Sequence, residues 1–447
     1  MHPSLILCAL AAAALFAHLP ARADELSAPS SSPPDAGAAA LTWSAFGTIG
    51  AARSNRSWRY QRFIRDDASL ERDSVFGGQA ELQLNPAWSA TVQGKLAPSD
   101  HSDTKWELVP AWAFVAWRPD NDWLLRAGKL RVPFLLRSEQ LDVGQTYDEA
   151  RLPAEIYALP PTSDFKGAAI AHTWSAESGD LSLDGYYGSA DLYKRFWIRA
   201  ALPSPVPGAD PVLPAGAMFK KVNVSVTGLV LSWREPTLVA RAGLHRARTR
   251  RVDGGEMTVR PTWLALGPGL GYWQTSGAGA EQTSRIRNDL LTLGADAQFG
   301  GGWRLAGEYL RLWQRDTELG VDGWAGYATL YRSLGAFTPY LTYAISRTSE
   351  RSARWQRELD GSSLPGMIPG AGLLTASMRA NADTVPVYRQ QSVALGSSYA
   401  LTTTQKIKAE WLHTRATESL LIDVPVGEPL ARGRSVDVLS LSYSFVF

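Results

Sequence analysis

The chain has few of the residues that carry redox or metal chemistry. Its 447 residues include one cysteine and six histidines, and the formal net charge is +2. The cysteine, Cys8, lies in an apolar N-terminal segment, so we predict a mature chain without thiol chemistry and expect no cofactor or bound metal. A net charge near zero gives no field that would attract nucleic acid, which we do not expect as a partner.

Long apolar runs are missing after the N-terminus, so the hydropathy gives no support for a helical membrane protein. The N-terminus has an apolar stretch over residues 5–17 followed by Ala21-Arg22-Ala23, an A-x-A cleavage pattern. We therefore predict an exported protein, with a signal peptide over residues 1–23 cleaved near Ala23. A disordered linker rich in serine, proline and alanine follows over residues 24–40. A short N-terminal core helix is the alternative.

Short segments of alternating apolar and polar residues fill the chain from residue 41 onward. Such alternation is typical of strands with one apolar face, and the 39 glycines and 27 prolines supply turns between them. We predict sixteen strands and no amphipathic helix of any length. The strands cover residues 41–52, 74–85, 88–97, 106–118, 123–130, 165–175, 181–189, 222–234, 238–249, 288–299, 303–315, 323–334, 338–348, 388–400, 406–416 and 435–447.

The connections between these strands alternate in length. Tight turns, such as residues 119–122 and 300–302, alternate with mostly longer loops, such as residues 131–164 and 349–387. Short turns at one rim and long loops at the other are typical of an outer-membrane barrel, whereas a soluble sandwich or propeller has no reason to alternate. We therefore predict an all-β fold, a closed antiparallel transmembrane β-barrel over residues 41–447, with lipid outside and water inside.

The last strand shows the expected two faces. Its serines alternate with larger apolar residues, which we predict to face lipid: Leu439, Leu441, Tyr443, Phe445 and Phe447. The alternation fails near Gly228 and at Arg311, and we interpret these places as bulges or strand ends.

The aromatic end of this strand resembles the signal that the barrel-assembly machinery reads in outer-membrane barrels. The resemblance implies that role for Tyr443, Phe445 and Phe447, with the assembly machinery as a partner.

Residues 124–157 resemble the fifth strand and third loop of the trimeric porins of Gram-negative bacteria, especially the phosphate-selective-porin-like branch. The resemblance rests on Gly128-Lys129, Pro133-Phe134 and the acidic stretch that follows. It implies a homotrimer in the outer membrane, in which the loop over residues 131–164 folds into the barrel and narrows it. Lumen lysines are associated with phosphate selectivity, and here the loop balances four positive charges against five negative ones, the last being Glu155.

Acids and bases on opposite sides of a narrow eyelet impose a transverse field on a solute. We therefore predict that charged residues of the loop and of the wall line the pore. The loop candidates are Arg126, Lys129, Arg131, Arg137, Glu139, Asp142, Asp148, Glu149 and Arg151. The wall candidates are Glu81, Lys95, Arg241, Glu308, Lys408 and Glu410. The alternative is that the loop charges pair with one another on the outer surface.

Five arginines recur at every third position in the first long loop: Arg53, Arg56, Arg59, Arg62 and Arg65. Arginine binds phosphate in a bidentate manner, so lipopolysaccharide at the rim of the barrel is one possible partner. An ordinary solvated loop explains the pattern equally well.

Catalytic motifs give no support for an enzyme. There is no G-x-S-x-G, H-E-x-x-H or P-loop, and His172, His245 and His413 are scattered along the chain. We therefore expect a porin, a water-filled channel for passive diffusion of small hydrophilic solutes or ions. The alternatives are a channel specific for an anion, sugar or carboxylic acid on the same fold, and a barrel-embedded hydrolase.

Overall fold

Sixteen antiparallel strands close into one barrel in the part of the chain that the structure describes. The structure is a computed structural model, and it describes residues 39–447 apart from positions 207, 278, 426 and 431. The expected signal peptide and nearly all of the linker lie outside the described residues. The sixteen-stranded antiparallel barrel predicted from the alternation is confirmed.

Sequence neighbours pair throughout, in the order β1 to β9 and then β14 to β20. The first nine barrel strands are β1 Ala40–Ser54, β2 Val75–Asn85, β3 Trp88–Pro98, β4 Trp106–Trp117, β5 Trp123–Arg131, β6 Asp164–Ala176, β7 Gly179–Ile198, β8 Gly216–Glu235 and β9 Leu238–Arg251. The other seven are β14 Ile286–Phe299, β15 Trp303–Arg315, β16 Gly323–Arg332, β17 Phe337–Thr348, β18 Tyr388–Thr402, β19 Gln405–Ser419 and β20 Arg434–Val446.

The first and last strands close the barrel. Phe46 pairs with Val446 and Ser54 with Val438, and the backbone N–H of Phe447 donates to the carbonyl of Ala45 at 2.8 Å. A sheet in lipid needs this closure, because an open edge would leave backbone groups without hydrogen bonds.

The two faces of the strands follow the predicted alternation. In β20, Leu439 and Leu441 are 64% and 59% exposed on the outside, whereas Ser442 and Ser444 are buried on the inside. Tight turns lie at one rim, which we call the short-turn rim, and the other end is the long-loop rim. Exposed tryptophans mark the short-turn rim, where Trp88 stacks on Trp117.

The long loops contain elements that the alternation did not predict. Two small hairpins lie between β9 and β14, formed by β10 Met257–Arg260 with β13 Glu281–Thr283 and β11 Thr262–Gly267 with β12 Leu270–Gln274. The described residues also include three α-helices in the long loops. Helix α1 Ala154–Tyr157 lies in the loop between β5 and β6, and helices α2 Glu350–Gly361 and α3 Ala371–Asp383 lie in the loop between β17 and β18.

The prediction of no amphipathic helix was therefore wrong. Helix α2 buries Ala353, Gln356 and Leu359 along one side, at helical spacing. Charged residues separate these positions, so the stripe is too short and too polar to stand out in the sequence. No helix among the described residues is long and apolar enough to cross a membrane.

The expected bulge near Gly228 was also wrong. Strand β8 keeps its register with both neighbours, and Val224, Val226 and Val230 all lie buried on the inside. The inner face is apolar here because it packs against a loop inside the barrel. Arg311 keeps its outward position, where its guanidinium donates to Asp322 at 2.7 Å and lies over the ring of Trp313.

Candidate functional site

The loop between β5 and β6, residues 132–163, folds into the barrel and crosses its lumen. We call it the inward loop. Its Gln145 amide donates to the carbonyl of Thr403 at 3.1 Å, and its Arg151 donates to Ser440 at 3.0 Å. Both partners belong to the wall opposite β5 and β6, so the loop reaches from one side of the barrel to the other.

One side of the inward loop packs through apolar side chains. Phe134, Leu135 and Ile156 are at most 2% exposed and belong to one cluster with Val224 and Val226 of the wall. This cluster fills part of the interior with hydrocarbon, so the lumen is not wet throughout.

The other side of the inward loop is held by a buried lysine of β19. Lys408 is 1% exposed and donates to the carbonyls of Gly144 and Glu149 at 2.6 and 2.9 Å. A Cβ added at Gly144 would lie 2.5 Å from the hydroxyl oxygen of Thr48 and 2.6 Å from that of Ser444. Only glycine lets the loop backbone approach this wall so closely.

A buried ion pair joins the inward loop to the first long loop. Two nitrogens of the Arg151 guanidinium donate to the Asp73 carboxylate at 2.8 and 2.6 Å, and each side chain is 5% exposed. Burial alone would raise the pKa of Asp73, but the charge and hydrogen bonds of Arg151 hold it below its usual value.

Two carboxylates near the short-turn rim collect several donors each. Asp148 accepts from Lys406 at 2.9 Å, from Ser398 at 2.8 Å and from Arg304 at 3.2 Å. The Asp296 carboxylate accepts from Arg304 and also from Arg137 of the inward loop, at 2.8 Å. These bonds place alternating charges along the edge of the loop.

Three buried glutamates accept hydrogen bonds from tyrosines of the wall or of the inward loop. Glu308 accepts from Tyr157 at 2.6 Å, from Tyr327 at 2.9 Å and from the backbone N–H of Leu136 at 2.6 Å. In the same way Tyr331 donates to Glu149, and Tyr340 donates to Glu410 at 2.8 Å. Glu308 and Glu149 therefore fix the loop to the wall, whereas Glu410 joins two strands of the wall.

A further set of charges stays accessible to water inside the barrel. Arg126 of β5 and Glu139 of the inward loop lie 3.5 Å apart, with side chains 20% and 37% exposed. Arg241 donates to the carbonyl of Leu135 at 3.0 Å, and Asp184 of β7 lies within electrostatic range of Arg126. This group is one charged part of the lumen that stays open to water, and Arg137 and Arg304, with side chains 17% and 20% exposed, are similarly accessible.

The structure brings most of the predicted loop charges together with wall residues, but it separates Lys129 from them. Lys129 shares the outer face of β5 with Leu125, and its ammonium lies 2.9 Å from Asp164 and donates to the carbonyl of Pro110. Arg131 pairs with Asp142, which also accepts from Lys95 at 2.7 Å. Glu81 lies on the inner face of β2.

Several charged residues of this site were missing from the sequence prediction: Asp73, Asp184, Asp296, Arg304 and Lys406. Four of them stand at inward positions of strands, so the alternation by itself could have found them. Asp73 lies in a loop and gave no such signal.

The first-loop arginines contact groups of their own loop, of the β3–β4 loop and of the start of β20. Arg62 donates to Asp103 at 2.6 Å, and Arg59 lies 3.6 Å from the same carboxylate. The remaining three contact nearby groups of the loops: Arg53 the carbonyl of Asp66, Arg56 the carbonyl of Ser435 and Arg65 the carboxylate of Asp67.

A salt-bridge cluster spans the long-loop rim. Arg195, near the end of β7, donates to Asp103 at 2.8 Å and to Asp423 at 2.7 Å. Asp423 follows β19, and β7 and β19 stand on opposite sides of the barrel in the strand order. Trp197 adds a hydrogen bond to the carbonyl of Val424 at 3.0 Å. The loops are thus joined across the mouth of the barrel.

The described histidines do not form a hydrolytic site. His172 stacks between Trp123 and Trp174, and His245 lies buried between Tyr186 and Thr292. His413 contacts Asp437 at 2.8 Å.

One further histidine, His101, lies 3.3 Å from the hydroxyl of Ser99. That serine is 1% exposed, and its oxygen accepts the backbone N–H of His101. A substrate could not reach this hydroxyl.

The predicted assembly residues lie on the outside of the last strand. The rings of Tyr443 and Phe445 are 5.7 Å apart, and those of Phe445 and Phe447 are 5.2 Å apart. They form an aromatic row at the short-turn rim, in which Tyr443 and Phe445 are half-buried and Phe447 is exposed.

No protein-family model matches the chain. A search of curated protein sequences also gave no match. Solved structures, however, share its architecture. The chain is a sixteen-stranded antiparallel β-barrel whose fold resembles that of an outer membrane protein.

A loop-deletion mutant of OmpT, an outer membrane protein of Vibrio cholerae, aligns with a TM-score of 0.50 at 10% identity, over 92% of this chain and 99% of its own. The anion-selective porin from Comamonas acidovorans aligns with a TM-score of 0.48 at 14% identity, over 92% and 100%. The outer membrane channel DcaP of Acinetobacter baumannii gives 0.48 at 10% identity, over 92% and 98%. At such identity the likeness concerns the fold alone.

Proposed function

We propose that this porin-like barrel is an outer-membrane porin, through which small hydrophilic solutes or ions diffuse passively. The observation that carries the proposal is the inward loop, which is fixed to the wall on both sides and still presents accessible charges to the lumen. Arg126 and Glu139 carry opposite charges there, and such a pair imposes a field on a passing solute. In this function no residue makes or breaks a covalent bond.

An outer-membrane location accounts for the exposed apolar exterior and the aromatic short-turn rim, which would then face the periplasm. A homotrimer and lipopolysaccharide contacts belong to the proposal, together with recognition of Tyr443, Phe445 and Phe447 by the assembly machinery. The signal peptide stays a prediction from the sequence. The likeness of residues 124–157 to phosphate-selective porins also stays a prediction. The charges of this segment are balanced by their partners, so they do not add support for phosphate selectivity.

Planar-bilayer recording tests the function directly. The purified barrel should give ohmic conductance steps in a potassium chloride solution. A barrel that inserts and stays silent would show that the inward loop seals the lumen, and it would overturn the proposal.

The second candidate is a solute-specific channel on the same fold. The cluster around Arg195 favours it, because loops joined across the mouth restrict what can enter. Liposome swelling with sugars and carboxylates of graded size separates the two candidates. A general porin should admit solutes by size, whereas a specific channel should admit one chemical class and be blocked by it at low concentration.

A further inference from the structure

Strand β9 carries a row of arginines on the outside of the barrel, toward the long-loop rim. Gly243, His245 and Ala247 are buried on its inner face. The side chains that alternate with these three residues point outward. Leu244 is one of them and is 64% exposed, as expected for contact with lipid. Arg246, Arg248 and Arg250 continue this outward row, so three guanidiniums leave the barrel wall on the lipid side.

The neighbouring strands place more arginines directly beside this row. Arg248 pairs in register with Arg287 of β14, and Arg287 pairs with Arg315 of β15. Like charges directly opposite each other on neighbouring strands destabilise a sheet. We call the whole set the arginine ledge: Arg246, Arg248, Arg250, Arg287 and Arg315.

The ledge has little negative charge of its own. Within the described residues, Asp289 is the acid that pairs with its guanidinium groups, at 2.6 Å from Arg246 and 3.9 Å from Arg315. The carboxylate of Asp316 also borders the ledge and accepts the backbone N–H of Arg287 at 3.2 Å. The buried Nε of Arg287 has no hydrogen-bond partner in that part of the chain. Five guanidiniums against two carboxylates therefore leave a net positive surface.

Two arginines elsewhere at the same rim, Arg389 and Arg357, are compensated by acids. Arg389 of β18 lies 3.0 Å from Glu350 and 3.4 Å from Glu418. The same two glutamates also pair with Arg357. The ledge therefore differs from these two arginines, which share two carboxylates between them.

The height of the ledge matches the boundary of a membrane. The outward residues of β14 below it are apolar: Leu291, Leu293, Ala295, Ala297 and Phe299. At ~3.3 Å per residue and a tilt of ~40°, the segment from Phe299 to Asp289 spans about 25 Å, the height of the apolar band of such barrels. Trp313 pairs in register with Asp289 at the height of the ledge, as expected for an interfacial aromatic residue.

An apolar groove of about 890 Å³ lies on the outer surface next to the ledge. Leu229 and Leu244 line it, together with Tyr187, and Ala127 contributes a small side chain. Arg246 also borders the groove, so a polar head and an apolar tail could bind side by side.

We propose that the arginine ledge binds the phosphate groups of a lipopolysaccharide, with acyl chains of the same lipid in the adjoining groove. Guanidinium groups bind phosphate oxygens in a bidentate manner, and a phosphate dianion would offset the repulsion between Arg248, Arg287 and Arg315. The assignment rests on the proposed outer-membrane location. The ledge also differs from the first-loop arginines, whose guanidiniums already have hydrogen-bond or salt-bridge partners near the loops.

The test uses the full barrel, purified in detergent, and titrated with rough-type lipopolysaccharide under native mass spectrometry. The variant Arg248→Gln/Arg287→Gln/Arg315→Gln removes three charges from the ledge. The matched control Arg53→Gln/Arg59→Gln/Arg65→Gln removes three from the first loop. We expect the ledge variant to bind roughly 1,000-fold more weakly, since each of the three lost charge-assisted hydrogen bonds costs on the order of tenfold. The control variant should bind like the wild type.

Several results would overturn the proposal. If the wild-type barrel binds lipid A stripped of its phosphates as tightly as intact lipopolysaccharide, the ledge has no role in binding. If inorganic phosphate alone binds as tightly as lipopolysaccharide, the ledge is a site for free anions. Loss of binding in the control variant alone would move the site to the first loop. A change of oligomer mass in the ledge variant, with lipid binding intact, would make this face a contact between copies of the chain.

Conductance in bilayers free of lipopolysaccharide separates this proposal from the channel function. A silent wild-type barrel whose ledge variant still loses lipid binding would overturn only the channel function. A conducting barrel whose ledge variant binds normally would overturn only the lipid site. If the triple variant does not fold, the exposed single substitution Arg315→Gln replaces it, with an expected loss on the order of tenfold.

Discussion

The inward loop meets two sides of the barrel wall by different physical means. Toward β8 it packs Phe134, Leu135 and Ile156 against valines, and the contact is dry. Toward β19 and β20 it is held by hydrogen bonds and ions, with Lys408 and Arg151 as the main donors. Apolar packing is stable but not directional, whereas buried polar groups fix one geometry. The polar side therefore sets where the loop lies, and the apolar side keeps it there.

The largest loss of folding stability should come from a variant on the polar side of the inward loop. Arg151→Met leaves the Asp73 carboxylate buried without its partner, which should cost about 3–5 kcal/mol of folding stability. Urea unfolding followed by tryptophan fluorescence measures the loss. The double variant Arg151→Met/Asp73→Asn should recover much of it, and a double variant as unstable as the single one would contradict the importance of the pair.

A smaller or equal loss of folding stability is expected for a variant on the apolar side of the inward loop. Leu135→Ala, in the cluster that packs on β8, should cost about 2–5 kcal/mol because it opens a cavity. The control Leu439→Ala removes the same atoms from the lipid face, where lipid can fill the space. Similar losses in the two variants would argue against a dry core between loop and wall.

As the pH falls, the polar contacts of the inward loop should weaken before its apolar contacts. The pKa of Asp73 is held below its usual value, so its contribution to stability is complete above about pH 4 and is lost as pH falls through the lowered pKa. Unfolding measured from pH 7 to pH 2 should show this loss. The variant Asp73→Asn should lose that part of the pH dependence, whereas Leu135→Ala should keep it.

The smallest effects concern the accessible charges. Glu139→Gln should shift the reversal potential in a salt gradient toward anions, and Arg126→Gln toward cations. Each should change the permeability ratio by at most about fivefold, because water and salt screen exposed charges. Arg131→Gln should do less, since that guanidinium is 4% exposed and paired. Unchanged selectivity in all three variants would place the constriction elsewhere.

The strands and their faces followed from the sequence because period-two alternation is a local property. The sixteen predicted segments match the sixteen barrel strands, and the serines of β20 lie inside as expected. The alternation misled at Gly228, where an apolar inner face looked like a bulge. That face is apolar because of a loop far away in the sequence, which no local pattern records.

The partners of the charges could not be read in the same way. Lys129 belongs by sequence to the charged loop, yet its position in β5 turns it outward. Arg151 and Asp73 meet through loops from different parts of the chain, and helix α2 becomes amphipathic only against its neighbours in the folded loops.

The sequence by itself determined the closed barrel, its strand number and its lipid-facing surface, because alternation and turn length act over a few residues. Tertiary structure alone decided which charges pair in the lumen and which remain accessible. It also decided that Arg248, Arg287 and Arg315 stand side by side on the outside. Those three residues are far apart in the chain, and only the register of β9, β14 and β15 brings their like charges together.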